Sequence, residues 1–185
     1  APNPLLNRRL VSLLCVSFLA SFVSSPVYAL LPVYVEAGLS RSPLFSAGLR
    51  ALFFSLGGLF AVPAGSLCSS IGVKRVLLLG VLGPLIASAI FLSSDTLLLT
   101  GLCVALGMTF GFSSTGGQSY LLGSASAAVM GTASAGYFLS STFGTATGNL
   151  IAGPIADSLG YESLGVVGLL ASVSVIFLAV VILPG

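Results

Sequence analysis

The chain has 185 residues, 56% of them hydrophobic and only 5% charged, against about 25% charged in a typical soluble domain. Six basic and four acidic residues leave a net charge of +2, with no His and no Trp, which excludes a basic nucleic-acid-binding surface. So much apolar surface also excludes an ordinary soluble domain and predicts an integral membrane protein whose first partner is the lipid bilayer.

Residues 1–9, APNPLLNRR, form a short polar lead containing Arg8 and Arg9. No initiator Met is present, and the first apolar stretch exceeds the roughly 7–15 residues of a signal-peptide core, so the chain is expected to be a fragment or a processed form. A spanning helix needs about 20 largely apolar residues, and six segments qualify. The first, 10–35, carries Ser17, Ser21, Ser24 and Tyr28 on one stripe. A turn at Gly38 and Ser40 leads to the second, 44–69. Its Arg50 is the only charge well inside a helix, about 9 Å along the axis from Leu44. It either snorkels to the headgroups or serves as an anion site or gating ion pair, with Glu36 or with the other half of a larger protein.

The turn at 70–73 is followed by Lys74 and Arg75 and a third helix, 74–92, whose only other polar side chain is Ser88. Ser93 to Asp95 lead to the fourth, 96–122, with Gly107, Gly111, Ser114 and Gln118 on one stripe. After Gly123 and Ser124 comes the fifth, 126–156, with Ser134, Tyr137, Ser141, Thr145 and Gly148 in line and Thr142 and Asn149 beside them. A turn over 157–162 precedes the sixth, 164–183, which has only Ser172 and Ser174. The third and sixth therefore read as peripheral and lipid-facing. The stripes on the first, fourth and fifth either converge on a cavity or serve helix packing through small residues and local hydroxyl-to-carbonyl bonds. On the cavity reading the substrate-pathway candidates are Tyr28, Arg50, Ser114, Gln118, Tyr137, Thr142 and Asn149. Cys15, Cys68 and Cys103 are scattered through apolar segments without metal-ligand spacing and read as small packing residues.

Short connections make successive helices antiparallel. One face of the membrane then receives Arg8, Arg9, Lys74 and Arg75, and the other Arg41 with Glu36, Asp95, Asp157 and Glu162. The positive-inside rule puts both termini in the cytoplasm. The chain also repeats itself: AGSLCSSIG at 64–72 returns as AGPIADSLG at 152–160, 88 residues on, and Gly80 matches Gly168 at the same offset. The first copy ends the second helix on one face and the second copy ends the fifth on the other. The chain therefore reads as a 3+3 inverted repeat, 10–93 and 94–185, a plan common among secondary transporters.

At these residues the chain resembles the major facilitator superfamily. The family signature after the second helix, G-x-L-A-D-R-x-G-R-K, is matched here by Gly65, Leu67, Gly72, Lys74 and Arg75, with Ser69 and Ser70 in place of its Asp and Arg. The resemblance implies one six-helix half of a twelve-helix fold, with a second half in the same chain or in a homodimer. It also implies that this loop latches the two halves, although Ser69 and Ser70 cannot supply the family's charge pair. A simple tight turn anchored by two basic residues fits the loop equally. In the fifth helix, Gly153 and Pro154 match the Gly-Pro of the antiporter pattern G-x-x-x-G-P-x-x-G-G, which implies efflux. The fourth-helix Arg of R-x-x-Q-G is replaced by Cys103.

The expected function is secondary transport of a small drug or metabolite by alternating access in the plasma membrane. Gly65, Gly72, Lys74, Arg75, Gly153, Pro154, Asp157 and Gly160 would form the gating loops. The alternative is a non-transporting scaffold or sensor module. Neither cofactor nor metal is expected, and no nucleophile has a recognisable base partner, so an enzyme is not expected. No Asp or Glu lies at mid-membrane, so proton coupling would use the other half or Glu36. Without coupling, the protein would be a facilitator or carry a neutral or apolar solute.

Overall fold

A computed structural model describes residues 7–184 as an all-α bundle. Residues 1–6 of the predicted lead lie outside the described residues. The first helix, α1 (Arg8–Val33), starts two residues earlier than the apolar run suggests. Its start is set by Asn7, whose Oδ1 accepts the Arg9 backbone N–H at 3.1 Å. Pro26 and Pro32 interrupt its hydrogen-bond ladder, and the helix loosens into a π turn over Tyr34–Gly38.

Side-chain caps also open α2 (Pro43–Ser70) and α5 (Thr96–Ser124). Ser42 Oγ accepts the Phe45 N–H at 3.2 Å, and Asp95 Oδ1 accepts the Leu98 N–H at 2.8 Å. The expected third helix is two short ones, α3 (Val73–Gly80) and α4 (Gly83–Ile90). Pro84 has no N–H for the Gly80 carbonyl and its ring clashes there, so the ladder breaks across Val81 and Leu82. A short 3₁₀ turn, Ala127–Val129, precedes α6 (Met130–Ile182), which begins four residues later than expected.

Only Gly160 leaves helical geometry within α6, at φ 82° and ψ 166°. Met130, Ala133, Ala179 and Leu183 share one apolar cluster, whereas Ala152, Tyr161 and Leu164 belong to another. The run therefore folds back at Gly160 into arms 130–159 and 161–182, and the expected six-residue turn is a single residue. An L side chain is strained at such a positive φ. Gly72, the residue before α3, is the other described glycine with positive φ, at 94°. Gly72 and Gly160 occupy matching places in the sequence repeat.

α1, α3–α4, α5 and both arms of α6 run between the two clusters, and α2, with Leu49 and Phe53 in one, leads through Gly72 to Leu77 in the other. Tyr34, Leu49, Phe91, Leu99 and Leu164 mark one end, and Leu10, Leu77, Tyr120, Ala133 and Ala179 the other. Sequence neighbours are therefore antiparallel. Tyr34 secures the first end by donating its hydroxyl to the Ser93 carbonyl at 2.9 Å. Arg8, Arg9, Lys74 and Arg75 lie at the second end, and Glu36, Arg41, Asp95, Asp157 and Glu162 at the first. Among the described residues five stretches are long and apolar enough to cross a membrane: Arg8–Gly38, Pro43–Ser70, Val73–Ile90, Thr96–Ser124 and Ala127–Ile182.

Glycines let several helices meet backbone to backbone. A Cβ at Gly107 would come within 2.7 Å of the Phe53 carbonyl, and one at Gly111 within 2.7 Å of the Gly57 carbonyl, joining α5 to α2. Gly144 and Gly148 likewise lie directly on the carbonyls of Phe18 and Phe22 in α1. Pro26 leaves the Phe22 carbonyl without its helical donor, and Ser25 Oγ donates to it instead at 3.3 Å. Gly80 lies on the Ser113 backbone and Gly116 on that of Leu77, drawing α3 inward. The reading of the third helix as peripheral is thus corrected: Val76, Leu77, Val81, Ala87 and Ile90 are buried, wedged between α5, α1 and α6. The arm 161–182 does present an exposed apolar face, with Val166, Leu170, Val173, Phe177 and Val181.

Candidate functional site

A cavity of about 290 Å³ opens inside the bundle between α1, α3–α4, α5 and the 130–159 arm. Ser17, Ser21, Ser24 and Tyr28 reach it from α1, Ser114 and Gln118 from α5, and Tyr137, Ser141 and Thr145 from the 130–159 arm. Residues from all three predicted stripes therefore meet here. Helical spacing explains the match, because residues three and four apart share a face. Two members come into contact, Ser21 Oγ and Ser141 Oγ at 2.8 Å.

No Asp, Glu, Lys or Arg lines the cavity. Its polar wall consists of hydroxyls and the Gln118 amide, and its apolar wall includes Leu13, Val16, Leu106, Phe110 and Phe138. Such a surface offers neutral donors and acceptors and flat apolar faces, with no ionic partner for a charged group. Tyr28 stacks on Phe53, with centroids 5.4 Å apart and planes 13° apart, and meets the edge of Phe110 at 6.4 Å. That packing fixes the phenol's direction. Tyr137 is positioned differently: its hydroxyl lies directly against Gly117, where any Cβ would collide with it.

The other candidates lie elsewhere. Arg50 is exposed and lines a separate small recess with Val27, Leu31, Phe53, Phe54 and Cys103, which shares Tyr28 and Leu106 with the cavity. Thr142 is exposed outside the cavity lining. Asn149 is half-buried outside the lining, and its Oδ1 has no hydrogen-bond partner among the described residues. Gly107, Gly111 and Gly148, counted on the stripes, pack against neighbouring backbone instead. Sequence reasoning missed Thr109, Ser113 and the α3–α4 wall of Leu77, Gly80, Val81, Gly83 and Pro84. Ser113 adjoins Ser114 and Pro84 marks a helix break, so both signals were present in the sequence.

The loop candidates sit at opposite ends of the bundle. Gly65 closes on nothing nearer than the Thr115 methyl at 4.0 Å, and α2 ends just before Gly72. Lys74 and Arg75 lie in the first turn of α3. Ser69 Oγ donates to the Ser66 carbonyl at 2.7 Å and Ser70 Oγ to that of Leu67 at 3.2 Å, so both hydroxyls turn back onto their own helix. At the other end Gly153 has open space around it, and Pro154 lies within the 130–159 arm. The Pro154 carbonyl accepts the Ser158 hydroxyl at 2.6 Å. Asp157 is exposed three residues before the Gly160 reversal.

Among the described residues no group of His, Cys, Asp and Glu is arranged to hold a metal ion. No curated protein matches the chain. A family model described as Major Facilitator Superfamily matches residues 4–185.

Proposed function

The chain belongs to the major facilitator superfamily of membrane transporters, and on that premise we propose that it carries a small uncharged polar solute through alternating access, as one six-helix half of a transporter. The observation that carries this reading is the ion-free, hydroxyl-lined cavity built from three converging stripes. A neutral solute needs hydrogen-bonding groups and apolar faces in the membrane interior but no counter-charge, and buried ionic groups there are costly.

The proposed architecture is six crossings arranged as a 3+3 inverted repeat, with both termini cytoplasmic in the plasma membrane. Two observations support the repeat. Gly72 and Gly160, 88 residues apart, share the same positive-φ turn. The packing also follows the offset. Adding 88 to 56–60 of α2 gives 144–148, and adding 88 to 18–22 of α1 gives 106–110; 107–111 packs on 53–61, within about one residue of the register in which 144–148 packs on 18–22. A second half, in the same protein or in a second copy, would close the cavity by covering the exposed apolar faces of α2 and the 130–159 arm, with Leu59, Val62, Leu139, Phe143 and Leu150. The loops at Gly65, Gly72, Lys74 and Arg75, and at Gly153, Pro154, Asp157 and Gly160, would then gate opposite sides as the halves rock.

Paired cysteines across the two halves at 70–73 and at 157–162 test the mechanism. Each crosslink alone should arrest transport in one state. Simultaneous crosslinking at both loops with transport intact would overturn alternating access. A cysteine at Ser114 that no aqueous reagent reaches in any state would favour a non-transporting scaffold.

A further inference from the structure

A second recess, about 510 Å³, lies at the basic end of the bundle, between Arg9 of α1, Ile71 to Arg75 at the start of α3, and Ser119, Tyr120, Gly123 and Ser124 of α5. It is distinct from the cavity above. It sits one helical turn further out, from Leu13 to Arg9 along α1 and from Leu77 to Val73 along α3. The buried side chains of Leu10, Leu13, Leu77 and Tyr120 fill the space between.

Three cationic side chains line this recess and no Asp or Glu does. All four carboxylate side chains of the chain lie at the opposite end. Like charges held in one recess repel, and an anion placed between Lys74 and Arg75 relieves that repulsion. The wall is fixed by its own bonds. Tyr120 donates to the Pro184 carbonyl at 2.9 Å, Ser124 Oγ to the Tyr120 carbonyl at 2.6 Å, and Asn7 Nδ2 to the Ser124 carbonyl at 3.1 Å. From this geometry we infer that the recess binds the phosphate headgroup of an anionic membrane lipid, with Lys74 and Arg75 as its charged ligands and Arg9 in its wall.

Free phosphate shares the headgroup's charge but not its tail, and the surroundings favour the lipid. Exposed Leu79 and Leu82 follow Lys74 and Arg75 by about one and two turns, and exposed Leu122 adjoins Gly123, giving apolar surface near the recess for an acyl chain. The site does not depend on which solute the cavity takes.

The test uses the full chain, delipidated in neutral detergent and titrated with dihexanoyl phosphatidylglycerol, dihexanoyl phosphatidylcholine or inorganic phosphate, with adducts counted by native mass spectrometry. Phosphatidylglycerol should bind in preference to phosphatidylcholine. K74Q/R75Q should weaken phosphatidylglycerol binding about thirtyfold, and K74Q or R75Q alone about fivefold, while R41Q at the other end changes nothing. Equal binding of the two lipids would overturn the inference, as would full phosphatidylglycerol affinity in K74Q/R75Q or an equal loss in R41Q. Inorganic phosphate displacing phosphatidylglycerol at equal concentration would overturn the lipid as occupant. The single variants carry the test should the double variant fail to fold.

Discussion

Gly148→Ala should loosen the entire contact between α1 and the 130–159 arm. The new Cβ would land on the Phe22 carbonyl and the Ser25 hydroxyl. The carbonyl is backbone and has no rotamer to escape into. Relief needs the helices to part by about 1 Å, and a gap of that size forfeits a quarter to a half of the dispersion attraction across the contact. The same movement takes the Ser21–Ser141 pair from 2.8 Å out of hydrogen-bond range, a loss of about 0.6 kcal/mol in a membrane interior. Overpacking costs about 1–3 kcal/mol, and the better helix propensity of Ala offsets about 1 kcal/mol. The net loss is about 2 kcal/mol, a fall in Tm of about 4–8 °C for a chain of this size. Thermal unfolding in detergent can be followed with a thiol-reactive dye at Cys103, which is 0% exposed, after replacing Cys15 and Cys68 with Ser. Gly101→Ala, where a Cβ meets nothing within 4 Å, is the control and should keep or raise Tm. A Gly148→Ala curve that overlays the control would refute the close-contact argument.

Gly72→Ala and Gly160→Ala should each cost about 1–2 kcal/mol, because Ala must adopt the positive φ of the turn; the same melting assay checks them, and equal Tm in both variants and the parent would show that the turns relax freely. Tyr34→Phe should lower stability by about 1–3 kcal/mol by leaving the Ser93 carbonyl, its acceptor at 2.9 Å, without a donor. In a cysteine-free background, Ser114→Cys should react with a charged thiol reagent while Leu170→Cys, on the exposed apolar face, stays unlabelled. Equal labelling at the two positions would count against a water-accessible cavity.

The helices were legible because each is a long apolar run with a polar punctuation mark, and Ser42 and Asp95 act at those marks as caps. Tyr28, Ser114, Gln118 and Tyr137 were legible because polar side chains in an apolar helix have few places to go. Arg50, Thr142 and Asn149 satisfy the same rule without facing the cavity, because helical spacing fixes which residues share a face but not what that face meets. The inward position of α3 was illegible for a related reason. Its composition is that of a lipid-facing helix, and its burial depends on Gly80 meeting Ser113 and Gly116 meeting Leu77 across the fold. Pro84 announced the break in that helix, yet the apolar run around it is continuous enough to read as one span.

Backbone-to-backbone contact at Gly107, Gly111, Gly144 and Gly148 leaves α5 on α2, and the 130–159 arm on α1, with no layer of flexible side chains between them. Sliding either pair would drive carbonyl oxygens past Cα atoms, so shear within the bundle is the stiff direction and tilt of the whole block the compliant one. A load applied at the Gly160 reversal therefore passes from the 130–159 arm into α1 with little slip, and one applied at the Gly72 turn passes from α2 into α5 in the same way.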